Sequence, residues 1–103
     1  MRDSQAISAF SALAQETRLK IVRRLVKAGE RGMASGALAE ALGVSPAGMS
    51  FHLGQLEQAG LVSSERQSRS IVYRAEYEAL GSLIRFLTED CCSDNPRVRA
   101  CCK

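Results

Sequence analysis

Tryptophan is absent from these 103 residues, and the aromatic complement is two tyrosines and three phenylalanines. A chain this short supports one compact domain. Such a domain buries a modest fraction of its surface, so an interface with a second copy would add to its stability. Histidine occurs once, at His52, and no Cys-x-x-Cys motif occurs. A thiol enzyme needs a base beside its cysteine or that motif on a rigid scaffold, so no enzyme is expected. No apolar run approaches the ~18 residues of a membrane span. Met1-Arg2-Asp3-Ser4-Gln5 leads straight into an amphipathic segment, so no signal peptide is expected. A cytoplasmic protein with no membrane partner is expected, and its four cysteines should then be thiols. Lysine and arginine are missing from Gly32 through Glu65, although the net charge is +3. That balance permits nucleic acid as a partner without demanding it.

What is present is helical periodicity. Ile7, Phe10, Leu13 and Ala14 predict a first amphipathic helix over residues 4–15. Thr17 is placed to cap a second, with Ile21, Val22, Leu25 and Val26 as its stripe and Lys20, Arg23, Arg24 and Lys27 on other faces. After Gly29-Glu30-Arg31-Gly32, Ser35 opens a short third helix through Leu38, Ala39 and Leu42, with Gly43 suited to a left-handed cap. Ser45 and Pro46 then form an N-cap followed by a proline at the first helical position. The fourth helix runs through Met49, Leu53 and Leu56 to Gly60. A short helix, a three-residue turn and a longer helix make helix-turn-helix spacing. Leu61–Glu65 and Ser70–Ala75 predict a two-stranded hairpin with a basic tip, placed as a wing. A fifth helix, from about Tyr77 to Thr88, has more apolar surface than one face needs, which predicts a homodimer built on it and the first helix. The fold class is mainly α with a small β-hairpin: a winged helix-turn-helix of five helices. Residues 1–90 are expected to form a DNA-binding and dimerisation domain, and 91–103 a separate cysteine-rich ligand-sensing tail.

Leu13-Ala14-Gln15-Glu16-Thr17-Arg18-Leu19-Lys20-Ile21-Val22 resembles the opening signature of the arsenical-resistance repressor (ArsR/SmtB) family. Ser50-Phe51-His52-Leu53, then Leu56 and Ala59-Gly60-Leu61-Val62, is similar to that family's recognition helix and its exit into the wing. Arg66 through Arg74 is similar to the wing itself. The resemblance covers roughly residues 7–88. It implies a homodimer that reads an inverted repeat of double-stranded operator DNA near its own promoter. Two family ligand sites are missing. Ala34-Ser35-Gly36-Ala37-Leu38-Ala39 has no cysteine for a third-helix thiol site, and the last helix has no histidine for a zinc site.

With Met49, Leu53 and Leu56 turned inward, Ala47, Ser50, Phe51, Gly54, Gln55 and Gln58 lie on the outer faces of the fourth helix. Ser50 and Gln55 can hydrogen-bond base edges, and Phe51 or Ala47 can pack on a thymine methyl. An isolated Ser or Gln is more often plain solvated surface, but an exposed Phe is harder to dismiss. His52 lies nearer the buried side, either as a phosphate contact or as a structural histidine. Phosphate contacts are expected from Arg66 and Arg69 in the wing, from Lys20 or Arg24, and from helix N-terminal N–H groups.

Cys91-Cys92 and Cys101-Cys102 are vicinal pairs, and Asn95-Pro96 between them favours a turn that folds one back on the other. Soft thiolates suit thiophilic ions, and trivalent arsenic or antimony takes three sulfurs in a pyramid. Arg97, Arg99 and Lys103 favour the thiolate form. The position also resembles that of family members whose arsenite site lies at the end of the last helix. No permanent cofactor is expected. Trivalent arsenic or antimony is the expected inducer, bound by Cys91, Cys92 and one of Cys102 and Cys101, with Cys102 favoured. A methylated trivalent arsenical needs only two thiolates and stays open, as do another thiophilic metal, thiol oxidation and a tail of incidental cysteines. Back-to-back pairs argue against a Cys₄ zinc knot. A protein-interaction module is the rival from another class.

Overall fold

The structure, a computed structural model, describes residues 1–88. Cys91, Cys92, Cys101 and Cys102 lie outside the described residues, as does the boundary between the two expected segments. The elements run α1 (Asp3–Leu13), α2 (Glu16–Ala28), a 3₁₀ turn (Gly29–Arg31), β1 (Met33–Ala34), α3 (Ser35–Leu42), α4 (Pro46–Gln58), β2 (Val62–Gln67), β3 (Ser70–Ala75) and α5 (Tyr77–Thr88). No helix among the described residues is long and apolar enough to cross a membrane.

Local chemistry accounts for most of the boundaries. Gln15, not Thr17, caps α2: its backbone is extended (φ −152°), and its side chain accepts the Arg18 N–H at 2.8 Å. Thr17 is already inside the helix. Gly43 takes the left-handed conformation (φ 65°, ψ 36°) that ends α3. Two residues later the Ser45 hydroxyl accepts the Gly48 N–H at 3.0 Å and Pro46 opens α4. At the far end of α4, the Gly60 N–H reaches the Glu57 carbonyl and the Leu61 N–H the Leu56 carbonyl, both at 3.0 Å. Those two hydrogen bonds, with Gly60 at φ 79°, close the helix and turn the chain into β2.

The sheet has three strands, in the order β1-β3-β2, where the hairpin alone was expected. Met33 pairs with Tyr73 and Ala34 with Val72, so β1 ties the entry of α3 to the wing. The hairpin register runs from Val62 opposite Ala75 to Gln67 opposite Ser70, closing through a two-residue turn at Ser68-Arg69. β2 therefore extends two residues beyond the expected Glu65.

Ile21, Leu25, Leu38, Met49, Leu53, Leu56 and Leu61 form the most deeply buried part of one core. The first helix meets that core differently from its apparent stripe. Its buried residues are Ala6, Ala9 and Ala12, while Ile7 is 70% exposed and Phe10 also faces out. Alanines let α1 approach the core closely, and the bulky side chains fall on the opposite side. In α5, Leu83 is buried and Leu80 and Phe86 pack against the core, but Ile84 and Leu87 are 53% and 62% exposed.

Candidate nucleic-acid interface

Helices α3 and α4 and the turn Gly43-Val44-Ser45 form the helix-turn-helix. Met49, Leu53 and Leu56 seat α4 on the core. Its outer stripe is then Ala47, Phe51 and Gly54, one helical turn apart. Phe51 is 59% exposed, and a Cβ added at Gly54 would meet nothing within 4 Å. The stripe is thus one large aromatic left in solvent beside two small residues. Ser50 lies on the flank toward the wing and Gln55 on the flank toward α1, both exposed.

His52 is half-buried on the same flank as Gln55. Its Nδ1 lies 3.2 Å from Arg18 Nη1. A guanidinium only donates, so Nδ1 is the acceptor in this contact. Arg18 also donates from Nε to the Ala12 carbonyl at 2.6 Å. One side chain of α2 thus joins the last turn of α1 to the recognition helix. The sequence alone does not reveal this, because the bonds span 6 and 34 residues.

The wing brings its cations to one end. Arg66 stands opposite Ile71 near the tip of the hairpin, and Arg69 occupies the turn, both exposed. Behind the tip, Arg74 pairs with Glu65 at 2.8 Å and donates to the Glu30 carbonyl at 2.6 Å, so it is structural rather than free for a phosphate. Ser64 donates to Glu57 at 2.8 Å and fastens β2 to α4. Burial and the nearby Glu57 carboxylate push the Tyr73 phenol above its ordinary pKa of 10.0. Lys20, Arg23, Arg24 and Lys27 line an open groove on α2 with Met33 and Leu42, and Leu42 directly precedes the turn. Helix α4 has no cation of its own, but cations flank it on two sides.

A family model described as a helix-turn-helix domain matches residues 13–65. The nodulation protein NolR of Rhizobium meliloti is 34% identical over 94% of this chain and 83% of its own length. An ArsR-like transcriptional regulator from Rhodococcus sp. RHA1 superposes with a TM-score of 0.76 at 33% identity, covering 94% of this chain and 89% of that one. The chain belongs to the ArsR family. The winged helix-turn-helix DNA-binding domain of Mb0332 from Mycobacterium bovis, a possible ArsR-family transcriptional regulator, is homodimeric. It has a TM-score of 0.68 at 28% identity over 89% of this chain and 85% of that one. As an ArsR-family transcriptional regulator the chain has a winged helix-turn-helix fold. Among its described residues, no group of three His, Cys, Asp or Glu side chains is placed to hold a metal. The four candidate thiols lie beyond them.

Proposed function

We propose that this ArsR-family regulator is a cytoplasmic homodimeric repressor that holds operator DNA until a thiophilic ligand binds its C-terminal cysteines. The observation that carries the DNA-binding half is the exposed Ala47–Phe51–Gly54 stripe on α4, flanked by Ser50, Gln55 and His52 and by the wing arginines Arg66 and Arg69. An α-helix presented in this way fits a major groove, while a basic wing tip fits phosphate. Dimerisation is supported by Ile7, Phe10, Ile84 and Leu87, bulky apolar side chains left outside the protomer's own core on α1 and α5. The homodimeric relative supports the same assembly.

The sensing half rests on the donor set. Cys91, Cys92, Cys101 and Cys102 are soft ligands in two vicinal pairs, and they suit trivalent arsenic or antimony. Cys91, Cys92 and Cys102 form the favoured triad, with Cys101 as the alternative third thiol. Cys91 follows Thr88 of α5 by three residues in the sequence, and α5 carries part of the proposed dimer interface, so a ligand bound there would act on the angle between two reading heads. Residues 91–103 act in this scheme as the sensor, and 1–90 as the part that binds DNA.

The test is an operator-binding titration of the whole protein with arsenite, antimonite, methylarsenite, zinc, cadmium and a mild oxidant. Release by arsenite or antimonite, abolished in Cys91→Ser and in Cys92→Ser without loss of operator binding, is the expected result. A Cys91→Ser, Cys92→Ser double variant that lets go of DNA as readily as the parent would defeat the sensing half alone.

A further inference from the structure

The helix-turn-helix has no cation between Gly32 and Glu65, yet a guanidinium rests against its recognition helix. Arg18 reaches there from α2. Its bonds to the Ala12 carbonyl and to His52 Nδ1 hold it in one place and use two of its five N–H donors. The same side chain lines a crevice of about 240 Å³ between α1 and α4. The hydroxyls of Ser8 and Ser11 and the carboxamides of Gln55 and Gln58 complete the polar walls, and no carboxylate lines it. One cation among neutral hydrogen-bond donors matches a singly charged anion with several acceptor oxygens. That is the chemistry of a phosphodiester. Gln55 and Gln58 also border the Phe51 stripe, so the crevice opens beside the surface that faces the groove.

We propose that this crevice seats one phosphate of the operator backbone in each half-site, with Arg18 as its cation. The inference rests on the reading of α4 as the DNA-recognition helix. It supplies a cation that the helix-turn-helix itself lacks. Arg18 is held before DNA arrives, so little side-chain freedom is lost on binding. The contact also sets register, because the residue that grips the phosphate is bonded to α4 through His52 and to α1 through Ala12. A change in the angle of α1 then moves the phosphate seat and the reading helix together.

Duplexes carrying one uncharged methylphosphonate at a time test this with the full chain. In the parent, one position per half-site should cost affinity when neutralised. In Arg18→Gln that same position should cost nothing, while the salt slope becomes shallower by about 0.9 per protomer for every DNA sequence. Ser8→Asp, at an exposed position of α1, supplies a second variant should Arg18→Gln melt too low to assay. It should weaken binding to unmodified duplex and regain affinity on the methylphosphonate duplex. If neutralising each phosphate costs parent and variants alike, the seat is overturned while DNA recognition by α4 stands. A parent that binds no duplex at all overturns both.

Discussion

Ser64 donates a hydrogen bond to Glu57 at 2.8 Å, joining the first strand of the wing to the last turn of the recognition helix. Both side chains are exposed, so the bond contributes little to stability, on the order of 1 kcal/mol. Its consequence is angular: it relates the cations at the wing tip to the exposed Ala47–Phe51–Gly54 stripe of α4. Ser64→Ala should leave the melting temperature within a few degrees of the parent and lower operator affinity by weakening the wing contacts. Loss of affinity in Ser64→Ala should therefore not add to that in Arg66→Ala, which a double-mutant cycle on operator binding will show.

Glu57 also acts on Tyr73. Burial first, and the Glu57 charge second, raise the phenol's pKa above 10.0. The fold thus holds this proton more tightly than the unfolded chain does. Stability is unaffected through neutral pH and declines as pH rises above 10.0 through the folded-state value. Denaturant melts across the alkaline range should show that decline, diminished in Glu57→Gln and without the phenol's share in Tyr73→Phe.

Gly29 and Gly32 share a backbone conformation that side chains rarely adopt, with φ 75°, ψ −161° and φ 69°, ψ −167°. Only Gly32 is also crowded: a Cβ there would run into the Tyr73 carbonyl and sit 2.8 Å from Arg74 Cγ. Gly29→Ala should cost the backbone strain alone, about 1–3 kcal/mol. Gly32→Ala should cost more, because it also prises β1 from β3. Equal losses in urea melts would count against the crowding argument.

Ile84 and Leu87 stand on α5 outside the protomer's core, whereas Leu83 is buried within it. Ile84→Glu and Leu87→Glu should give folded monomers with weak operator binding. Leu83→Ala should instead lower stability directly, by about 2–5 kcal/mol, as core truncations do. Sedimentation and thermal melts together separate the two outcomes.

The wing and the recognition helix should fail in different ways. Arg69→Ala at the hairpin turn should weaken binding to all sequences and flatten the salt dependence. Phe51→Ala should leave the salt slope alone and change base preference, most visibly at thymines, which uracil substitution in the operator will reveal. A Phe51→Ala protein with unaltered preference would remove this residue from the reading surface.

The sequence by itself determined the helix-turn-helix, because its signals are local. Gly43, Ser45 and Pro46 act on the backbone within three residues of themselves, and the Met49–Leu53–Leu56 period selects the inner face of α4 without reference to any partner. The hairpin and the start of α5 at Tyr77 were legible for the same reason. Tertiary structure decided what depends on distant neighbours. Ile7 and Phe10 have the spacing of a core stripe, yet Ala6, Ala9 and Ala12 face the core, since close helix approach favours small side chains there. A strand of two residues, Met33–Ala34, has no period to read and exists only because β3 offers it a free edge. Arg18 sits in plain view in its motif, but its junction with Ala12 and His52 arises only when three helices converge, and no local pattern encodes convergence.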